Sequence, residues 1–250
     1  MTQLGIIGGT GISSFEKLVL LGTHMPITPY GEVSAAIQEG TVGNCRVFFL
    51  QRHGGDADIA PHLVNYRANL WALQALGVDE IVAINAVGGI SPDMQSGRLV
   101  VPDQLIDYTW GRAHTFDDGS DGKLRHIDFT EPYDGVLRTA LLEVAAAKGI
   151  ACATAAVHGV TQGPRLETAA EIRRMAADGC DVVGMTGMPE AALARELGIA
   201  YVSVCMVVNP AAGLGELPIT LAMMHATLQR EAGVVQDLLA ALISRRYSAA

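Results

Sequence analysis

Apolar positions along this chain fall into two patterns: short unbroken runs between polar turns, and longer stretches in which they recur every third or fourth residue. The unbroken runs predict strands buried on both faces at 3–8, 35–41, 45–51, 80–86, 98–102, 150–160, 180–185 and 199–208. The periodic stretches predict helices over 63–76, 133–148, 167–177, 188–197 and 219–245. In the first of these Leu63, Tyr66, Leu70 and Leu73 share one face, and Gly77, Gly149 and Gly198 stop the helices they follow. The periodicity is lost between Trp110 and Pro132, a polar stretch carrying Asp117-Asp118-Gly119-Ser120-Asp121-Gly122. This reads as a long surface loop, of a kind usually functional or mobile. No internal repeat or low-complexity linker divides the chain, so one α/β domain over 1–250 is expected.

Composition narrows the partners. Half of the 250 residues are hydrophobic and 17% are charged, which suits parallel strands covered on both faces, a subunit interface, or both. A net charge of −9 speaks against a nucleic-acid or acidic-membrane surface, which needs a basic footprint. A small phosphate could still bind locally. Cys45, Cys152, Cys180 and Cys205 lie in or beside apolar segments without a CxxC pair, as buried thiols in a reducing compartment would. The first strand begins too early for a secretory leader, and no apolar run approaches the ~18 residues that cross a bilayer. A cytoplasmic location is the expectation.

Three turns, each at the end of a predicted strand, carry the candidate chemistry. Gly8-Gly9-Thr10-Gly11 offers backbone N–H groups unobstructed by Cβ atoms and the Thr10 hydroxyl, either as a phosphate cradle or simply as a tight turn. A dinucleotide site is disfavoured, because Ser14 replaces the third glycine of the fingerprint and no acidic residue ends a strand at the ribose position. Arg52 follows an apolar run, so its guanidinium is expected to leave a buried strand and enter a cleft, where bidentate donation suits phosphate. His53 could bond phosphate or a sugar hydroxyl, or be structural. Asn85-Ala86-Val87-Gly88-Gly89 either admits a ligand to the backbone or packs a strand end closely. Thr186, in Met185-Thr186-Gly187, is a hydroxyl donor at a strand end or the cap of the next helix.

Read in order, Ile7-Gly8-Gly9-Thr10-Gly11, Arg52-His53-Gly54, Val64-Asn65-Tyr66-Arg67-Ala68-Asn69, Gln162-Gly163-Pro164-Arg165 and Gly184-Met185-Thr186-Gly187-Met188-Pro189-Glu190 resemble the trimeric purine nucleoside phosphorylases. The 5'-methylthioadenosine phosphorylases are the branch most similar, and the resemblance runs from residue 4 to about 245. It implies a mixed, partly barrel-like sheet flanked by helices, a homotrimer, no metal and no cofactor. It also implies phosphorolysis, with inorganic phosphate as co-substrate. On matching positions Thr10, Arg52, His53, Ala86 and Thr186 would hold phosphate, with Asn85 beside them where that branch commonly has Thr. Met185 would lie against the ribose.

At the base the chain departs from that branch. The family's Asp-x-Asp reads Asn209-Pro210-Ala211 here, so the first carboxylate is an amide and the second a methyl. Next to Leu166, Glu167 stands where the branch usually has Ser and where 6-oxopurine nucleoside phosphorylases have Glu. An amide can donate to O6 and accept from a protonated N7, and a carboxylate can accept N1–H. A bland alternative is that Glu167 begins the helix at 167 and favours its dipole. Around the sugar's 5' end, Leu217 to Met224, including Ile219, Leu221 and Met223, is apolar with flexible thioethers. Ala57 replaces a histidine frequent in the branch, and His126 matches one that reaches a neighbouring subunit's site. The combination implies 5'-methylthioinosine as substrate, with Asn209 and His53 as catalytic groups. The alternatives are an inosine or guanosine phosphorylase, a methylthioadenosine phosphorylase, and a purine-binding regulator without turnover.

Overall fold

The computed structural model describes residues 2–117, 119–120, 122–123, 125–216 and 218–247. Asp118, Asp121 and Leu217, all named above, lie outside the described residues, as does the side chain of Leu221. The fold is mixed α/β. In chain order the elements are β1 (Leu4–Gly8), β2 (Val19–His24), β3 (Ile37–Val42), β4 (Cys45–Gln51), α1 (Tyr66–Ala75), β5 (Glu80–Gly89), β6 (Leu99–Val100), β7 (Gln104–Asp107), α2 (Gly135–Ala147), β8 (Cys152–Ala153), β9 (Val157–Val160), α3 (Ala169–Ala177), β10 (Val182–Gly184), α4 (Glu190–Glu196), β11 (Ala200–Pro210) and α5 (Leu221–Tyr247).

The unbroken apolar runs are explained by cover on both faces. Val47 and Phe49 of β4 join Leu4, Ile6, Val82 and Val204 under α2 and α5, while Phe48 and Leu50 join Ile7, Ile81 and Ala83 under α1 and α4. Alternate side chains thus enter two different cores, and neither face can be polar. Where one face is open the pattern failed as a signal. Strand β2, antiparallel to β3, exposes Val19, Leu20 and Leu21, and no strand was expected there. Strand β7 is short and mostly half-buried, and the single strand expected at 150–160 is two, β8 and β9.

The sheet order β2-β3-β4-β1-β5-β10-β9-β7 places the site, because β5 changes neighbours part-way along one edge. Parallel β1 covers that edge from Glu80 to Ala83, and antiparallel β10 covers it again only at Gly88 and Gly89. On the opposite edge β11 runs parallel to the whole of β5. Between Ala83 and Gly88 the backbone of β5 therefore faces a break in the sheet. Such switch points, at the carboxyl ends of strands, are where α/β sheets admit ligands.

Candidate active site

A cavity of about 130 Å³ opens at this break, roughly ten times the space that one water needs by the same kind of measure. Its walls come from the ends of β1, β4, β5, β10 and β11, so distant segments of sequence converge there.

One end is made of turns and hydroxyls. Strand β4 pairs with β1 as far as Gly8↔Gln51, and the Arg52 N–H then donates to the Gly8 carbonyl at 2.9 Å, closing the two strand ends together. Any side chain at Gly9 would put its Cβ 2.4 Å from the Ile84 carbonyl oxygen and 2.7 Å from Nη1 of Arg52. Only glycine fits, and the turn lies directly on β5. Thr10 and His53 line the cavity beside it. Nδ1 of His53 is 2.8 Å from the Ile59 carbonyl, which assigns its proton there and leaves Nε2 for a ligand. Burial first, and then the Arg52 charge, lower the His53 pKa below the ordinary histidine value.

The expected course of Arg52 is corrected. Its guanidinium is fully buried and does not enter the cleft as a free fork. Nε and Nη2 donate to the two oxygens of Glu190 at 2.7 and 2.8 Å, and Nη1 donates to the Ile84 carbonyl at 2.9 Å. Tyr201 Oη also donates to Glu190, at 2.8 Å. Burial works against the charge on Arg52, but the attraction and hydrogen bonds of Glu190 outweigh it and raise the pKa. Arg52 still forms part of the cavity wall, with Nη1 close beneath Gly9.

Asn85 is corrected too. It is buried behind the wall, where Oδ1 accepts from the Thr186 hydroxyl at 2.7 Å and Nδ2 donates to Ser203 Oγ at 2.6 Å, while Ala86 and Thr186 line the cavity. Asn85 positions Thr186 rather than meeting a ligand directly. The polar chain continues from Ser203 to Cys205 Sγ at 3.3 Å, and Sγ lies 3.9 Å from His158 Nδ1. Burial pushes the Cys205 thiol up to about 12, which keeps it protonated and makes it a poor nucleophile.

The other end carries amide and carboxylate chemistry. A register shift between Val207 and Asn209 bulges β11, and Val208 and Asn209 both line the cavity. Asn209 is buried, and its Nδ2 donates to the Pro210 carbonyl at 2.6 Å. One further N–H and the oxygen of the amide remain for a ligand. Opposite, the Thr161 hydroxyl donates to Oε1 of Glu167 at 2.6 Å. Glu167 does not begin a helix: α3 starts at Ala169, and Thr168 caps it with Glu171 in a reciprocal capping box. Nor does Thr186 cap α4, whose first flanking residue is Pro189, without a side-chain cap. Neither residue therefore caps the helix that follows it.

A family model described as the Phosphorylase superfamily matches residues 3–244. The chain belongs to that superfamily. It is 49% identical to a protein of Pseudomonas syringae pv. tomato named "Probable S-methyl-5'-thioinosine phosphorylase", over 98% of this chain and 99% of that one. It is 42% identical to the 6-oxopurine nucleoside phosphorylase of Pyrococcus furiosus, over 97% and 92%. Among solved structures, methylthioadenosine phosphorylase from Schistosoma mansoni in complex with adenine superimposes with a TM-score of 0.93 at 31% identity, covering 98% of this chain and 92% of that one.

For this member of the phosphorylase superfamily the remaining candidates sort by position. Leu166, Met185, Ala211 and Ile219 line the cavity. Met223 does not: it is 41% exposed, and its neighbour Met224 takes the wall position and packs on the core. Successive residues of a helix point about 100° apart, so of two adjacent methionines only one faces the wall. His126 is exposed in the loop between β7 and α2 and does not line its own subunit's cavity. Ala57 lines an adjoining recess with Thr10, His53 and His225. Sequence reasoning missed Glu190, Ser203 and Pro61, and from an apolar stretch that included Met224 it singled out Met223. For Glu190 a signal existed, since a buried arginine demands a carboxylate and Glu190 ends a quoted motif.

Proposed function

We propose that the chain is a phosphate-dependent purine nucleoside phosphorylase that cleaves 5'-methylthioinosine to hypoxanthine and 5-methylthioribose 1-phosphate. The observation that carries this reading is the pairing of Asn209, as an amide, with Glu167 held by Thr161 across one cavity. A 6-oxopurine offers N1–H to the second oxygen of Glu167, and its O6 takes the spare N–H of Asn209. As the glycosidic bond breaks, the leaving base takes a proton from solvent at N7, and this N7–H donates to the Asn209 oxygen. This bond strengthens toward the transition state, so it lowers the barrier rather than only tightening binding. Adenine would set a lone pair at N1 against the carboxylate. An unpaired buried group costs roughly 1–3 kcal/mol, about tenfold to a hundredfold in selectivity.

At the other end phosphate rests on the N–H groups of the Gly9-Thr10-Gly11 turn and on the Thr10 hydroxyl, lies near Arg52, and gives its own O–H to the Thr186 oxygen, whose proton is held by Asn85. Neutral His53 takes a hydrogen bond at Nε2 from a phosphate or ribose hydroxyl. Phosphate attacks C1' as the base leaves, and no protein nucleophile is needed. Ile219, Met224, Leu166 and Ala57 leave the 5' end apolar, which favours methylthio over hydroxyl. The enzyme works as a cytoplasmic homotrimer in which His126 completes a neighbour's site, without metal or cofactor. Kin at 42–49% identity bearing 6-oxopurine and methylthioinosine names support the substrate class.

An ultraviolet assay on methylthioinosine, inosine and methylthioadenosine, each with and without phosphate, tests this. Base release should be fastest from methylthioinosine and should need phosphate. Preference for inosine would make it an ordinary nucleoside phosphorylase, and preference for methylthioadenosine would overturn the role of Asn209. Binding without release would make it a regulator.

A further inference from the structure

Arg112 lies in the long loop after β7, has no part in the reading above, and is buried. Its guanidinium ties together the two segments that continue from the paired strands β9 and β10, beyond their last ladder bond from the Thr161 N–H to the Gly184 carbonyl at 2.8 Å. Nη2 donates to the carbonyls of Thr161 and Gln162 at 3.2 and 2.8 Å, and Nη1 donates to Met185 O at 2.9 Å and to Met188 O. Nε donates to the Gln162 side-chain oxygen at 3.2 Å, which also accepts from the Trp110 N–H. The guanidinium carbon sits 5.7 Å from the centre of the Tyr66 ring, whose hydroxyl donates to the carbonyl of Pro61, a cavity-wall residue.

The segments joined in this way are the two ends of the site. Thr161 anchors Glu167 through its hydroxyl, so the Thr161–Gln162 backbone fixes where the base-reading carboxylate stands. Met185 to Met188 carries Thr186 and leads into Glu190, the partner of Arg52. All the hydrogen-bond partners of Arg112 are neutral. A surface anchor would pair with a carboxylate, whereas here four backbone carbonyls in the two segments that follow β9 and β10 are held by a planar fork.

We infer that Arg112 is a positioning residue that sets the separation between the base-reading and phosphate-holding ends of the cavity, and so couples 6-oxopurine selectivity to phosphate use. The inference rests on the reading of the site given above. A misplacement of about 1 Å at a reacting centre can cost on the order of a hundredfold in rate. Lysine keeps the charge but cannot bridge both segments.

The test compares wild type with Arg112→Lys and Arg112→Ala. The readouts are kcat and KM for methylthioinosine and methylthioadenosine, the KM for phosphate, and the thermal midpoint. Arg112→Lys should lower kcat/KM for methylthioinosine by roughly 30- to 100-fold, compress the preference for it over methylthioadenosine at least tenfold, and raise the phosphate KM. Methylguanidinium added to Arg112→Ala should restore part of the rate and of the preference. A lower midpoint with unchanged preference and unchanged phosphate KM would overturn the inference and leave Arg112 a loop anchor. Should Arg112→Ala not fold, Gln162→Ala removes one of the Arg112 bonds, that from Nε, and should shift both readouts in the same direction; no shift counts against the inference. If wild type cleaves none of these nucleosides, the proposed function fails first, whereas wild-type selectivity retained in Arg112→Lys sinks only this inference.

Discussion

The two ends of the cavity are built on different principles. The phosphate end is backbone geometry laid over buried polar groups: Gly9 pressed on β5, Arg52 locked to Glu190, and Thr186 backed by Asn85 and Ser203. The base end is a few side chains without such a buried network behind them: buried Asn209 on a strand bulge, and half-buried Glu167 on a turn held by Thr161. The first cannot change without disturbing the core, whereas the second can change by single substitutions. The reaction is therefore written into the fold, and the choice of base into replaceable groups.

If that contrast holds, the largest effect belongs to the phosphate end and shows as stability. Arg52→Met leaves Glu190 buried without its partner, and about 3–5 kcal/mol should be lost in urea unfolding, together with activity. The double variant Arg52→Met with Glu190→Met should recover much of the stability and none of the activity. Full activity in the double variant would remove Arg52 from the phosphate wall.

A second effect of nearly the same size lies behind the same end. His158 is fully buried beneath Gly184 and Gly187, and burial lowers its pKa from 6.5 to about 4. Between those values the unfolded chain binds a proton that the folded chain refuses. The stability from this histidine is thus complete above pH 6.5 and falls as pH drops toward 4, by about 3 kcal/mol. His158→Gln should flatten that part of the stability profile; an unchanged slope would place the acid sensitivity elsewhere.

At the base end the effects should be kinetic. Asn209→Ala should lower kcat and kcat/KM together by about a hundredfold with little change in unfolding free energy. A rise in KM alone would reduce Asn209 to a binding contact.

The same contrast explains what could be read from the sequence. β1, β4, β5 and β11 were legible because both faces are covered, and the phosphate turns because glycine clusters and an arginine announce themselves locally. The direction of Arg52 was not legible, since Glu190 lies 138 residues away and only the fold brings them together. Asn85 and Ala86 are neighbours whose side chains leave a strand on opposite sides, and the pattern did not say which faced the ligand. Met223 and Met224 were confused for the analogous reason on a helix. β2 escaped notice because its apolar residues face outward. Arg112 gave no local sign: its partners are mostly backbone carbonyls, which no side-chain pattern encodes.

The central claim is that a carboxylate at 167 reads a proton on N1, and Glu167→Gln tests it with almost no change of shape. Glutamine can donate to the bare N1 of adenine as well as accept from N1–H. The ratio of kcat/KM for methylthioinosine to that for methylthioadenosine, measured with saturating phosphate, should fall about tenfold or more, mainly through better use of the aminopurine. A ratio unchanged from wild type would mean that Glu167 does not face the base, and the account of substrate choice would fail.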